Sequence, residues 1–171
     1  MHADARQLGK EDAKRFVTGG YAKFTLVSRK TGTRYTYQAK HPSKRTQAGG
    51  FVLDRTGSIF VSVLTGPSNT QDYAVLGTLF DKSTYKHNKQ RSKISEEAPS
   101  AVAFRWLWWL LQNPEAQEFP EDLEFWTSGS CCCCSRELTV PASIEAGMGP
   151  DCAERYYGII LSRGKKGGSN G

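Results

Sequence analysis

The chain has 171 residues, 38% of them hydrophobic and 23% charged, with a net charge of +6. That length and balance fit one soluble domain, with or without a small appended module, long enough to bury a core without disulfide staples. The polar start MHADARQLGKEDAKRF lacks the apolar run of a signal peptide, and the most apolar stretch, Ala101–Leu111, is too short to span a bilayer and contains Arg105. The expected location is therefore the cytoplasm, with no membrane partner and with reduced thiols.

Charge is unevenly spread. Residues 1–50 carry +8, residues 51–100 +1 and residues 101–171 −3. A basic first third beside an acidic last third suggests one side for a polyanion and another for a protein; the plain alternative is a solubilising charge mixture.

Residues 1–16 read as a short N-terminal helix or arm, with Leu8, Ala13 and Phe16 on its apolar side. Tyr21–Lys40 holds two alternating runs around RKTGT, a hairpin signal. His41–Gly50 is a loop by composition. Phe51–Asn69 reads as strand, turn, strand and turn, and Asp72–Asp81 as a further strand with Gly77 at a bulge or a close backbone approach. Lys82–Lys93 is a basic connector with room for a short strand at Thr84–Lys86.

Helical character is concentrated at Glu96–Pro114, where Pro99 and Ser100 suit a first turn and Pro114 a stop. Its apolar residues run nearly all round, which predicts a sandwiched helix with two of Trp106, Trp108 and Trp109 buried. Pro114–Trp126 reads as an acidic link and Ser162–Gly171 as a flexible tail. The fold class is α+β: an antiparallel meander of hairpins covered by one Trp-rich helix, with a small treble-clef-like zinc module after it. The expected division is an arm at 1–16, an α+β domain at 17–126, a zinc-finger-like module at 127–161 and a tail at 162–171.

All five cysteines lie in the last third: Cys131, Cys132, Cys133, Cys134 and Cys152. Cys131 and Cys134 have the C-x2-C spacing that lets two thiolates reach one zinc at ~2.3 Å. Cys152 follows Gly147, Gly149 and Pro150, which suit a turn into a helix whose positive end favours thiolate. A structural Zn2+ on Cys131, Cys134 and Cys152 is the leading reading. A metal-free cluster of small apolar side chains and a catalytic zinc are the alternatives.

The run C-x2-C-x-R-x-L-T-x-P-x-S-I-x-x-G-x-G-P-x-C, from Cys131 to Cys152, resembles the C-terminal motif of an uncharacterised phage and prophage protein family. SRKTGTRYTY, FVSVLTGPSN, DYAVLG and APSAVAF resemble its upstream part, so the resemblance covers roughly residues 17–157. It implies a zinc-binding module and a bacterial host cell, and no reaction. Two positions depart from the pattern. Ser135 stands where the family has a glycine in the left-handed conformation, and Thr127 where many members have a histidine ligand. The fourth ligand is then Cys132 or Cys133, a distant group such as His41 or His87, or water.

Tyr35, Tyr37, Phe60, Tyr73, Phe80 and Tyr85 alternate along strands among Arg29, Lys30, Arg34, Lys40, Lys82, Lys86, Lys89, Arg91 and Lys93. Sheet aromatics ringed by cations hold single strands by stacking and phosphate pairing, although many such rings are core. The candidate nucleic-acid contacts are those nine cations with Tyr35 and Tyr37. The three histidines read as exposed, and no nucleophile–base or paired-carboxylate signature marks an enzyme. The chain reads as a nucleic-acid-binding accessory protein, DNA ahead of RNA. The alternative is a protein-interaction factor that inhibits a host defence or replication complex through the surplus tryptophans and the acidic 115–124 segment.

Overall fold

A computed structural model describes residues 7–116 and 118–164; the first part of the expected arm and most of the expected tail lie outside these residues. The elements are α1 (Lys10–Val17), β1 (Tyr21–Ser28), β2 (Arg34–Lys40), β3 (Ser43–Arg45), β4 (Phe51–Leu53), β5 (Ile59–Leu64), β6 (Tyr73–Phe80), β7 (Thr84–His87), α2 (Pro99–Gln112), β8 (Leu123–Thr127), α3 (Pro141–Ala146) and α4 (Pro150–Tyr157). Among the described residues, a six-stranded antiparallel sheet runs β7-β6-β5-β2-β1-β8, and β3 and β4 form a separate pair. The α+β class is as expected.

Strand alternation decides the core. Ala22, Phe24 and Leu26 of β1 and Tyr37 and Ala39 of β2 are buried, and so are Ile59, Val61 and Val63 of β5. Phe24 stacks on Tyr37 at 5.6 Å and on Phe125 of β8 at 4.9 Å between centroids. Phe104 of α2 closes this stack from above, 5.5 Å from Tyr37 and 4.8 Å from Tyr85. The Tyr37 hydroxyl donates to the Ser100 carbonyl at 2.7 Å, so its one polar atom is satisfied inside the core.

Helix α2 is a one-sided cover and not a sandwiched helix. Ala101, Phe104, Leu107, Trp108, Leu110 and Leu111 are buried. Trp108 alone of the three tryptophans is inside, with its indole N–H donating to the Ser83 carbonyl at 2.8 Å. Trp106 and Trp109 are 40% and 59% exposed. The sequence expected two buried; spacing puts Trp108 one turn after Phe104 and swings Trp106 and Trp109 outward.

Two further expectations change. His41–Gly50 is not all loop, because Ser43–Arg45 pairs with Phe51–Leu53 outside the main sheet. The acidic link ends in β8, which pairs with β1 from Phe24↔Thr127 to Ser28↔Leu123. The C-terminal region packs into the main core. Cys131, Cys132, Cys133, Leu138, Met148 and Ala153 share one buried cluster with Phe16 and Phe24. Among the described residues no helix is long and apolar enough to cross a membrane.

Phe104→Ala removes the ring that α2 sets on the sheet and is expected to cost about 3–5 kcal/mol. Trp109→Ala, on the outward face, is expected to cost under about 1 kcal/mol. Guanidinium unfolding of the two variants measures both, and equal losses would contradict the one-sided packing.

Candidate metal centre and basic surface

After β8 the chain makes a small hairpin. Ser130 bridges Glu137, the Cys131 N–H donates to the Arg136 carbonyl at 2.8 Å, and the Leu138 N–H to the Gly129 carbonyl at 2.9 Å. The four cysteines form its tip. Ser135 closes the tip at φ +65°, with its N–H on the Cys131 carbonyl at 2.8 Å. A non-glycine residue held there costs on the order of 1 kcal/mol. The segment between the cysteine turn and α4 contains α3, which ends on Gly147 at φ +74°. Gly149 and Pro150 then open α4, and Cys152 sits in its first turn.

The sulfurs of Cys131, Cys133 and Cys152 lie within 4.8 Å of one another, two buried and one half-buried. Sulfurs around a tetrahedral metal at ~2.3 Å stand about 3.8 Å apart, so a small contraction would seat an ion. Among the described residues no histidine or carboxylate joins this set. Cys134, on the exposed rim, interacts through its thiol with Cys131 and Cys152. The tight set thus contains Cys133, which the sequence offered as a fourth ligand, and Cys134 stands beside two of its members. Soft thiol donors of this number suit a thiophilic ion. The cluster can hold a metal.

The electrostatics agree with that chemistry. A hydrogen bond from the Cys133 thiol, together with the N–H groups of Gly149 and Cys133 at 3.4 Å, pulls the Cys131 thiol down to about 4 against its burial. Cys133 is held up by its thiol contacts with Cys131 and Cys132 and by burial. Burial, with the charge of Cys131, pushes Cys152 up to about 12. A cation at the cluster would favour loss of the Cys133 and Cys152 protons beside Cys131.

Cys132 lies outside the tight set, although its sulfur is 3.8 Å from that of Cys133. A Cβ on Gly19 would come within 2.5 Å of its sulfur, so only glycine admits the turn between α1 and β1 so close. The Cys132 carbonyl accepts the Tyr21 N–H at 2.7 Å, and its own N–H donates to Gly147 at 3.0 Å. Arg55 spans the junction: it donates to the Cys133 carbonyl at 2.6 Å and to the Gly19 carbonyl at 3.1 Å, with its guanidinium 4.3 Å from the Tyr156 ring centre. Sequence reading missed Arg55, which looks like any turn cation in DRTGS.

Thr127 and the histidines, of which His41 and His87 were the distant candidates for a fourth ligand, are placed differently. Thr127 is buried and accepts the Gly129 N–H at 3.4 Å. His41 is buried, not exposed as expected, and burial lowers its pKa. His87 contacts the Ile94 carbonyl through Nε2 at 3.0 Å. His2 lies outside the described residues.

A family of unknown function, DUF6011, matches residues 122–157. That stretch runs from the residue before β8 to the end of α4, a minor part of the chain. It agrees with similarity to an uncharacterised family and assigns no activity. No curated protein and no solved structure matches the chain.

The candidate nucleic-acid residues divide. Arg29, Lys30, Arg34, Lys82, Lys86, Lys89, Arg91 and Lys93 are exposed, and Lys40 is half-buried with its ammonium 4.4 Å from the Tyr21 ring centre. Arg29 pairs with Glu124 at 3.1 Å and Lys89 with Glu96 at 3.5 Å. Among the described residues no carboxylate pairs with Lys30, Arg34, Lys82, Lys86, Arg91 or Lys93. Tyr37 is a correction: it is fully buried under α2 and cannot meet a base. Tyr35 shares that core-facing side, half-buried and 6.5 Å from Tyr37.

Zinc titration of single variants separates the cysteines. Cys133→Ser and Cys152→Ser are expected to weaken zinc binding at least about tenfold, whereas Cys132→Ser keeps it. Equal losses at positions 132 and 133 would remove the distinction drawn from the sulfur positions.

Proposed function

We propose that this chain is a phage-type nucleic-acid-binding accessory protein of the bacterial cytoplasm, with a structural zinc on Cys131, Cys133, Cys134 and Cys152. The observation that carries the binding half is the set of six exposed cations with no carboxylate partner among the described residues. Cations left unpaired around one domain attract a polyanion and gain from counterion release when they meet it. The zinc half is supported by the thiol set and by its place in the core. Zinc suits closed thiolate sites, and such sites contribute directly to folding.

A gel shift with single- and double-stranded DNA tests the binding half. Binding is expected at about 50 mM salt, with a slope in log salt that falls by about one unit for each phosphate contact removed. Replacing Lys86, Lys89, Arg91 and Lys93 together by glutamine is expected to abolish the shift. No shift of the unaltered protein at low salt sinks the reading.

A second reading is contact with a host protein, as an inhibitor of a defence or replication complex. It is favoured by Val102, Trp106 and Trp109, which lie exposed along one side of α2. Exposed Glu115, Glu118, Glu121 and Asp122 follow in the same connection, so the matching partner is an apolar pocket rimmed by basic side chains. Trp106→Ala with Trp109→Ala is expected to lose that partner in a pull-down from host extract while leaving the DNA shift unchanged. Retention of every captured protein removes the second reading.

A further inference from the structure

The side of the sheet away from α2 carries its own pattern. Every ring that α1 or α2 presents to the sheet meets the core side: Phe16 meets Phe125, and Phe104 meets Phe24, Tyr37 and Tyr85. The opposite side is read from the pairing. One row runs Tyr21–Lys40–Phe60–Thr78–Lys86 across β1, β2, β5, β6 and β7. Phe80, paired with Thr84, stands diagonally to Phe60 on the next row.

Phe60 is 37% exposed and Phe80 43%. Diagonal neighbours on a sheet are about 7–8 Å apart, within reach of two large rings. Lys40 flanks this pair on β2 and Lys86 on β7, while Lys82 in the β6–β7 turn offsets Asp81 beside it.

We infer that Phe60 and Phe80 are a stacking platform for two bases of a single-stranded nucleic acid, whose flanking phosphates lie on Lys40 and Lys86. The inference rests on the nucleic-acid reading above and names the strand form and the face. Two exposed phenylalanines would be a liability on a free surface, and the lysines on either side select what covers them. A second copy laid on this face by two-fold symmetry would bring lysines against lysines. A duplex keeps its base faces stacked inside, whereas a single strand offers base faces to the rings and phosphates to the ammonium groups.

Fluorescence anisotropy with an oligothymidine of about twelve nucleotides, against a duplex of equal length, tests this. The single strand is expected to bind tighter. Phe60→Ala and Phe80→Ala are each expected to lose about tenfold in affinity for it with an unchanged salt slope. Lys86→Gln is expected to lower that slope by about 0.7. Phe60→Leu and Phe80→Leu keep the apolar bulk, so an equal loss in these variants excludes a folding defect.

Wild-type affinity in the double leucine variant, with binding still lost on neutralising the basic residues, overturns the platform and leaves the nucleic-acid reading standing. Equal affinity for duplex and single strand overturns the platform too. So does a dimer in sedimentation that the phenylalanine variants dissolve. No binding by the unaltered protein removes both readings.

Discussion

The hydrogen bond from the Tyr21 N–H to the Cys132 carbonyl, 2.7 Å long, ties the cysteine turn to the first residue of β1. β1 lies between β2 and β8, so the position of its start governs the register of strands on both sides. Arg55 repeats the tie from a different part of the chain, holding the Cys133 and Gly19 carbonyls with one guanidinium. Carbonyls in a buried turn have no water to fall back on, and each of these would be left unsatisfied if the turn moved. The turn has little core of its own, and Ser135 holds its left-handed conformation at a cost. Order at the thiols and order at β1 therefore support each other, a coupling that a metal held by the thiols would strengthen.

Much of the fold was legible because strands declare themselves by alternation. Phe24, Leu26 and Tyr37 fall on one side with polar neighbours between them, and Pro99 and Pro114 bracket α2 closely. β8 was hidden because Glu121, Asp122 and Glu124 make the segment look like a charged link. Its inward residues, Leu123, Phe125 and Thr127, alternate as strand residues should, but five positions between acidic neighbours are a weak signal. β3 was hidden for a similar reason: Ser43, Lys44 and Arg45 are all exposed, so no burial pattern marks them.

The candidate metal centre was legible in part. Spacing located the cysteine turn and the helix that carries Cys152, and Ser135 was marked as the strained position. Which sulfurs converge was not legible, because in four consecutive cysteines direction is set by the turn and by Gly19, distant in sequence. The buried state of His41 was also invisible. It depends on Gly20 and Arg55, which a Cβ placed on Gly20 would contact together with the His41 ring.

The two sides of the sheet were the hardest to assign, and one irregularity explains why. In a regular strand Leu76 and Leu79, an odd number of residues apart, cannot share a face, yet both are fully buried. The pairing of β5 with β6 shifts between Val61 and Ser62, which leaves Leu76 as the extra residue of a bulge. Gly77 follows because any side chain there would run into the Lys86 carbonyl. Beyond the bulge the parity of β6 reverses, so Tyr73 and Phe80 lie on the same side although simple alternation separates them. The shift buries two leucines in the core and turns Phe80 outward beside Phe60. The apolar core and the exposed aromatic pair are thus consequences of the same inserted residue, and straightening β6 would disturb both.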